Sequence, residues 1–286
     1  MADWRTAVTA ALGEPVQTAE PLSGGSIAET RLVTLASGRR IVVKTCAGHP
    51  GMFQAEAAGL RELALAQALP VPAVLAADEG FIALAHIESG PRQADYDAQF
   101  GRGFAALHRH QSEQFGLAID NYIGATPQRN TPRPAAAGWA GFYWEQRLEF
   151  QLRLAERQGR STPELTGMMA VLEDRLPALL AGSEEPPCLL HGDLWSGNVM
   201  TGPDGYAVII DPAVYYGHRE ADLAMTTLFG GFSPAFYAAY QEAWPLADGW
   251  QRREPVYQLY HLLNHLNLFG SGYLGQCLSA TRACLR

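Results

Sequence analysis

Lysine is almost absent from this chain. Of its 21 basic residues only Lys44 is a lysine, and the other 20 are arginine. No basic run occurs, and 29 acidic residues against those 21 give a formal charge of −8. That balance argues against nucleic acid or an anionic membrane surface as a partner. Cysteine is scarce too: Cys46, Cys188, Cys277 and Cys284 lie scattered without C-x-x-C spacing. A disulfide framework and a zinc knuckle are thereby disfavoured, and a reducing, cytoplasmic setting is expected. No stretch approaches the ~20 uninterrupted apolar residues of a membrane span, and the N-terminal MADWRTAVTAALGE lacks the apolar core of a signal peptide. No internal repeat is visible. What is present is 48% hydrophobic residues over 286 positions, enough for one large domain or two modest ones around a real core.

The single lysine is the first informative residue. Arginine and lysine differ where a compact point charge must fit among phosphate oxygens. A leftover surface lysine is the competing reading, but Lys44 stands inside IVVKTC, a β-branched run expected to be buried on at least one face, where an unpaired ammonium is costly. It therefore needs a carboxylate partner. Around it, VQTAEPLSGGSIAETRLVTLASGRRIVVKTC reads as three antiparallel strands near 16–22, 27–35 and 41–46, with glycines at the first turn. Residues 52–69 have helical apolar spacing, and Glu56 in the first turns is the natural partner of Lys44. VPAVLAAD and FIALAHIE read as two further strands, and ESGPRQ as a linker.

From about residue 95 the pattern is mostly helical, with a Pro- and Gly-rich loop at 121–138. A β island interrupts the helices from PPCLLHGD to YAVIIDP and contains a hairpin turned by GPDG. In chain order the polar residues are a glycine turn between strands, Lys44, Glu56, Asp193 and Asn198 of HGDLWSGN, and Asp211 after AVII. Phosphoryl transfer calls for such a set, because its catalysis is mainly positioning and charge neutralisation. HGDLWSGN satisfies the H-x-D-x-x-x-x-N catalytic loop of kinase-fold enzymes. There the Asp receives the acceptor proton, the Asn and a later Asp hold Mg2+, and a strand Lys aimed by a helix Glu binds the phosphates of ATP. A scaffold without activity would have lost one of these groups, and none is missing.

The chain resembles the fructosamine kinase (ketosamine 3-kinase) family, within the aminoglycoside phosphotransferase-like branch of the kinase superfamily. LSGGSIAET, IVVKT, EAAGLREL, NYIGATPQ, GWAGFYWEQRL, LLHGDLWSGN, DPAVYYGHREADLAM and YHLLNHLNLFGSGY carry the resemblance, which spans nearly the whole chain. It implies an α+β, protein-kinase-like two-lobe fold, with a small antiparallel-sheet N-lobe at 1–88 and a mainly helical C-lobe at 89–286. It implies ATP-dependent phosphorylation of the 3-hydroxyl of a ketoamine, free or protein-bound, after which the amine is lost by elimination. A small-molecule kinase of the aminoglycoside, choline or homoserine type is the alternative. The resemblance also implies that backbone groups of Ala85, His86 and Ile87 meet adenine, and that Ser23, Gly24, Gly25 and Ser26 approach the phosphates. That turn lacks the third glycine of G-x-G-x-x-G. Pro-Ala follows Asp211 where protein kinases have Phe-Gly, so a constitutively assembled site is expected.

The remaining assignments concern neighbours of the loop. Asp222 is expected to accept backbone N–H bonds from it, and His191 to be packed scaffold rather than base. Trp195, His218, Arg219 and Glu220 are candidates for the acceptor site, with bracing of the loop as the competing role. His261 and His265 have the spacing of a zinc pair but no Glu of H-E-x-x-H, so packing is expected. The aromatic run FYWEQRLEF reads as helix packing. The sugar of the ketoamine and the oligomeric state stay open at this level.

Overall fold

The structure is a computed structural model that describes residues 3–22 and 27–286. The glycine turn at 23–26, expected to approach phosphates, lies outside the described residues. The chain begins with α1 (Trp4–Leu12), capped by Asp3 and closed by Gly13 in the left-handed region. Strands β1 (Val16–Pro21), β2 (Glu29–Leu35) and β3 (Arg40–Thr45) follow, then α2 (Met52–Leu65), β4 (Val74–Ala77) and β5 (Phe81–Ala85). The sheet is antiparallel throughout, in the order β1-β2-β3-β5-β4.

Alternation along β3 assigns its faces. Ile41 and Val43 join Val33, Leu35, Phe81 and Val8 of α1 in one core cluster. Val42 lies on the opposite face among Ile82, Leu84 and the α2 residues Phe53, Ala57 and Leu60. Two residues beyond Val42, Lys44 emerges on that same face, toward α2. The α2 helix ends at Leu65 rather than near 69 because Gln67 takes a left-handed φ of 50°.

The helical part comprises α3 (Tyr96–His108), α4 (Trp139–Tyr143), a π turn at Trp144–Leu148, α5 (Glu149–Arg157) and α6 (Pro163–Leu180), and later α7 (Glu220–Leu228), α8 (Pro234–Ala243), α9 (Trp250–Phe269) and α10 (Leu274–Cys284). Helix α9 is buried along most of its length, and its Val256, Tyr257, Tyr260, Leu263 and Leu266 join the main apolar cluster. Short strands lie between the helices: β6 (Gln114–Phe115) pairs with β9 (Arg133–Pro134), and β7 (Asn121–Ile123) with β8 (Thr126–Gln128). In the β island, β10 (Cys188–Leu190) pairs with β13 (Tyr215–Gly217), and β11 (Val199–Thr201) with β12 (Ala207–Ile209). The last pair is the expected GPDG hairpin, with Gly205 at φ 84°.

The stretch at 121–138, read from sequence as a loop, contains the β7–β8 hairpin. Its turn is made by Gly124 at φ 60°. The strands escaped notice because three of the four side chains they bury are polar, Asn121, Thr126 and Gln128, and Ile123 alone makes no apolar alternation.

Candidate active site

The loop between β10 and β11 carries HGDLWSGN, and the segment after β12 carries Asp211. Three hydrogen bonds lace them together: Ala213 N to His191 O at 2.9 Å, Ile210 N to Asn198 O at 3.0 Å, and His191 Nε2 with Ile210 O at 2.9 Å. Asp193 N donates to His191 Nδ1 at 3.2 Å, so Nε2 carries the ring proton and donates to Ile210. Burial pushes the His191 pKa down and keeps the ring neutral. Both ring nitrogens of His191 are thus engaged, within the loop and by the segment that follows β12. Gly192 has a φ of 82°, and a Cβ there would fall 2.0 Å from Ala213 O, so both conformation and space demand glycine.

Asp222, in the first turn of α7, accepts from His191 N at 2.7 Å and Gly192 N at 2.8 Å. Behind it, His108 Nε2 lies 3.2 Å from the same carboxylate, and His108 Nδ1 lies 2.7 Å from Tyr240 Oη. The carboxylate therefore fixes the backbone of the loop. His108 escaped the sequence reading; its only signal was a lone polar ring at the end of the apolar helix segment GFAALH.

Lys44 Nζ lies 2.6 Å from Glu56 Oε1 and 2.6 Å from Asp211 Oδ1. Burial alone would lower the ammonium's pKa, but Glu56 and then Asp211 outweigh it and hold Lys44 charged. Asp211 itself sits at φ 54°, a left-handed conformation uncommon for a residue with a side chain, and its side chain is 40% exposed. Asn198 Nδ2 donates to Asp193 O at 2.8 Å and reaches Asp193 Oδ2 at 3.4 Å. Burial raises the Asp193 pKa well above the ordinary aspartate value, Asp211 and Asp222 add to this, and the Asn198 amide opposes it. That is the direction a proton acceptor requires.

Ala85 ends β5 opposite Ile41 and donates its N–H to Ala73 O at 2.8 Å. His86 and Ile87, both half-buried, follow beyond the strand.

Trp195 is 36% exposed and meets Phe229 edge-on at 6.2 Å between ring centroids. The aromatic wall continues through His265, 5.0 Å from Phe229, to Phe269 at 5.3 Å and Tyr273 at 5.1 Å. A Cβ on Gly197 would come 2.3 Å from the Trp195 ring, so a larger residue there would displace the indole. His265 Nδ1 is bonded to His261 O at 2.7 Å. The His265 ring packs between Phe229, Phe269 and Tyr273.

The sequence leaves His218, Arg219 and Glu220 between the acceptor site and bracing of the loop, and their contacts are those of bracing. All three are buried. Arg219 donates to Glu185 at 2.9 Å, Trp244 O at 2.8 Å and Pro245 O at 2.7 Å. Glu220 accepts from Arg253 at 2.6 and 2.7 Å, and His218 stacks on Trp139 at 4.8 Å. The charges of Arg219 and Glu220 are thus matched within the fold, while the buried His218 Nδ1 has no hydrogen-bond partner among the described residues. They brace the start of α7, where Asp222 stands.

A family model described as fructosamine kinase matches residues 1–286. A protein of Synechocystis sp., provisionally assigned as a ketoamine kinase, is 40% identical over 295 residues, covering 100% of this chain and 98% of that protein. The chloroplastic protein-ribulosamine 3-kinase of Oryza sativa subsp. indica is 38% identical over 273 residues, covering 93% and 78%. A crystal structure from Thermobifida fusca, of a protein provisionally assigned as a fructosamine-3-kinase, shares 39% identity and superposes with a TM-score of 0.89, covering 99% and 98%.

Proposed function

Because the chain belongs to the fructosamine kinase family, we propose that it transfers the γ-phosphoryl group of ATP to the 3-hydroxyl of a ketoamine. The observation that carries the reading is the assembly of Lys44, Glu56 and Asp211 at 2.6 Å contacts beside a loop in which Asn198 reaches Asp193. Asp193 takes the proton of the acceptor hydroxyl, whose oxygen attacks the γ-phosphorus as ADP leaves. Lys44, aimed by Glu56, neutralises phosphate oxygens. The sheet and α2 within residues 1–88 form the nucleotide lobe, and His86 and Ile87 offer main-chain groups to adenine. Trp195 faces the acceptor. The product, a 3-phosphate beside a carbonyl, enolises toward C1 and expels phosphate from C3, and water then hydrolyses the resulting C1 imine to free the amine, which makes the reaction a deglycation step.

Mg2+ suits the donor set. Asn198 commits its amide nitrogen to Asp193, which leaves Oδ1 as the atom for a cation, and Asp211 presents a partly exposed carboxylate. Two oxygen ligands fit a cation that keeps its waters and shares substrate phosphates. When bound, the ion supplies positive charge to the phosphoryl oxygens.

An acceptor panel tests the proposal, with ADP release as readout. Fructosamine, ribulosamine and erythrulosamine derivatives of one amine are expected to be phosphorylated at rates differing by about tenfold or more, since the pocket must sense one or two hydroxyl-bearing carbons. Turnover of aminoglycosides or choline, with none on any ketoamine, would overturn it.

A further inference from the structure

Two segments that mark the family resemblance, NYIGATPQ and GWAGFYWEQRL, are left without a task by the reaction described above. They meet in a buried polar network behind Asp211. Arg147, in the π turn between α4 and α5, is fully buried and has no carboxylate partner among the described residues. Its charge is met instead by the Arg129 carbonyl, by Asn130 Oδ1 at 2.8 Å, and by the Tyr215 ring, whose centroid lies 3.9 Å from the guanidinium carbon. An isolated buried cation is costly, so the fold has a use for it.

The hydrogen bonds run from that cation in one direction. Arg147 donates to Asn130 Oδ1, Asn130 Nδ2 donates to Asn121 Oδ1 at 2.9 Å, and Asn121 Nδ2 donates to Val214 O at 2.7 Å. A second branch starts at Tyr260 Oη, which donates to Gln128 Oε1 at 2.7 Å. Gln128 Nε2 then donates to Ala213 O at 2.9 Å and to Asn121 Oδ1 at 2.8 Å. Each donor polarises the next amide, and such chains strengthen cooperatively in a low-dielectric interior. Both branches end on the carbonyls that follow Asp211 and Pro212. The Ala213 carbonyl is also the one under which Gly192 lies, and the Ala213 N–H is held by His191 O.

We infer that the Arg147–Asn130–Asn121 relay and the Tyr260–Gln128 branch are positioning elements. They pin the Ala213–Val214 backbone so that Asp211 keeps its left-handed conformation and its carboxylate stays aimed at the cation site. The left-handed state of a residue with a Cβ persists only where its surroundings over-determine it. Here they do so with buried amides and a cation, in place of the mobile Phe-Gly segment of protein kinases. Partners one shell out from a metal ligand typically set affinity by about ten- to a hundredfold. The inference rests on Asp211 as a metal ligand and not on which acceptor is phosphorylated.

The test is calorimetric and needs no acceptor. ADP affinity is measured with and without Mg2+ for the wild type, Gln128→Met and Tyr260→Phe, each checked for its melting transition. Gln128→Met keeps the volume but removes both donations, and its Mg2+-dependent gain in ADP affinity is expected to fall about tenfold, with metal-free ADP binding unchanged. Tyr260→Phe keeps the ring and loses only the orienting hydroxyl, so about a threefold fall is expected. If Gln128→Met does not fold, Tyr260→Phe decides. A wild-type Mg2+ gain in the folded variants overturns the inference. No gain in the wild type itself would instead remove Asp211 from the metal site and end the inference at its premise.

Discussion

Gly192 lies directly beneath the carbonyl oxygen of Ala213, so close that a Cβ would stand 2.0 Å from that oxygen. The residue before the proposed base and the residue two beyond the proposed metal ligand are thus in backbone contact. Gly192→Ala meets both a positive φ and a clash with main chain, which cannot swing aside as a side chain can. Destabilisation of roughly 3 kcal/mol is expected from strain of this kind, together with a loss of kcat larger than the loss of folded protein. Chemical denaturation alongside single-turnover kinetics separates the two, and a variant with native stability and rate would show that the loop can move away from Ala213.

Replacing Asp193 by Asn keeps the shape of the side chain and removes its capacity to accept a proton. The rate of the chemical step should fall by about a thousandfold, within the range of general-base contributions. ADP affinity should stay within about a factor of two, because the Lys44 and Glu56 contacts do not pass through Asp193. Retention of the full rate would reassign the base.

Acid sensitivity follows from two buried histidines, His218 and His261. Burial pushes His218 down to about 3, with Arg253 and Arg219 adding to it, and burial with His265 alongside pushes His261 down to about 3. Both folded values lie below the ordinary histidine value, so below about pH 6.5 the unfolded chain binds more protons. Their contribution is complete above that pH and is lost as pH falls toward the folded values, on the order of 2 kcal/mol each by pH 5. Urea midpoints at pH 7.5, 6 and 5 are the measurement. His218→Phe, which preserves stacking on Trp139, should flatten the slope; an unchanged slope would exclude His218 as its source.

The sheet was legible in the sequence because β3 and its neighbours alternate, with Ile41 and Val43 turned to one core and Val42 to the other. The spacing of Asp193 and Asn198 was legible for a different reason: one short loop must carry both groups, so their separation is local. What stayed hidden depends on partners distant in sequence. Arg219 and Glu220 looked available for a ligand until Glu185 and Arg253, 34 and 33 residues away, were found to hold them. The β7–β8 hairpin was hidden by chemistry rather than distance. Its buried side chains are mostly polar, with the amides of Asn121 and Gln128 beside Thr126 and a single Ile123, and a periodic hydrophobic pattern cannot report a strand that packs largely through hydrogen bonds.

Lys44 is the only lysine in the chain, 8% exposed and clasped between two carboxylates. An ammonium so placed is held protonated by two carboxylates, whereas the first step of glycation is attack by a free amine on a sugar carbonyl. The side chains of a protein proposed to repair glycated amines therefore offer almost no such amine of their own, and this catalyst is poorly suited to become its own substrate. In a concentrated solution of reducing sugar, its side chains should remain unmodified while lysine-rich neighbours accumulate adducts.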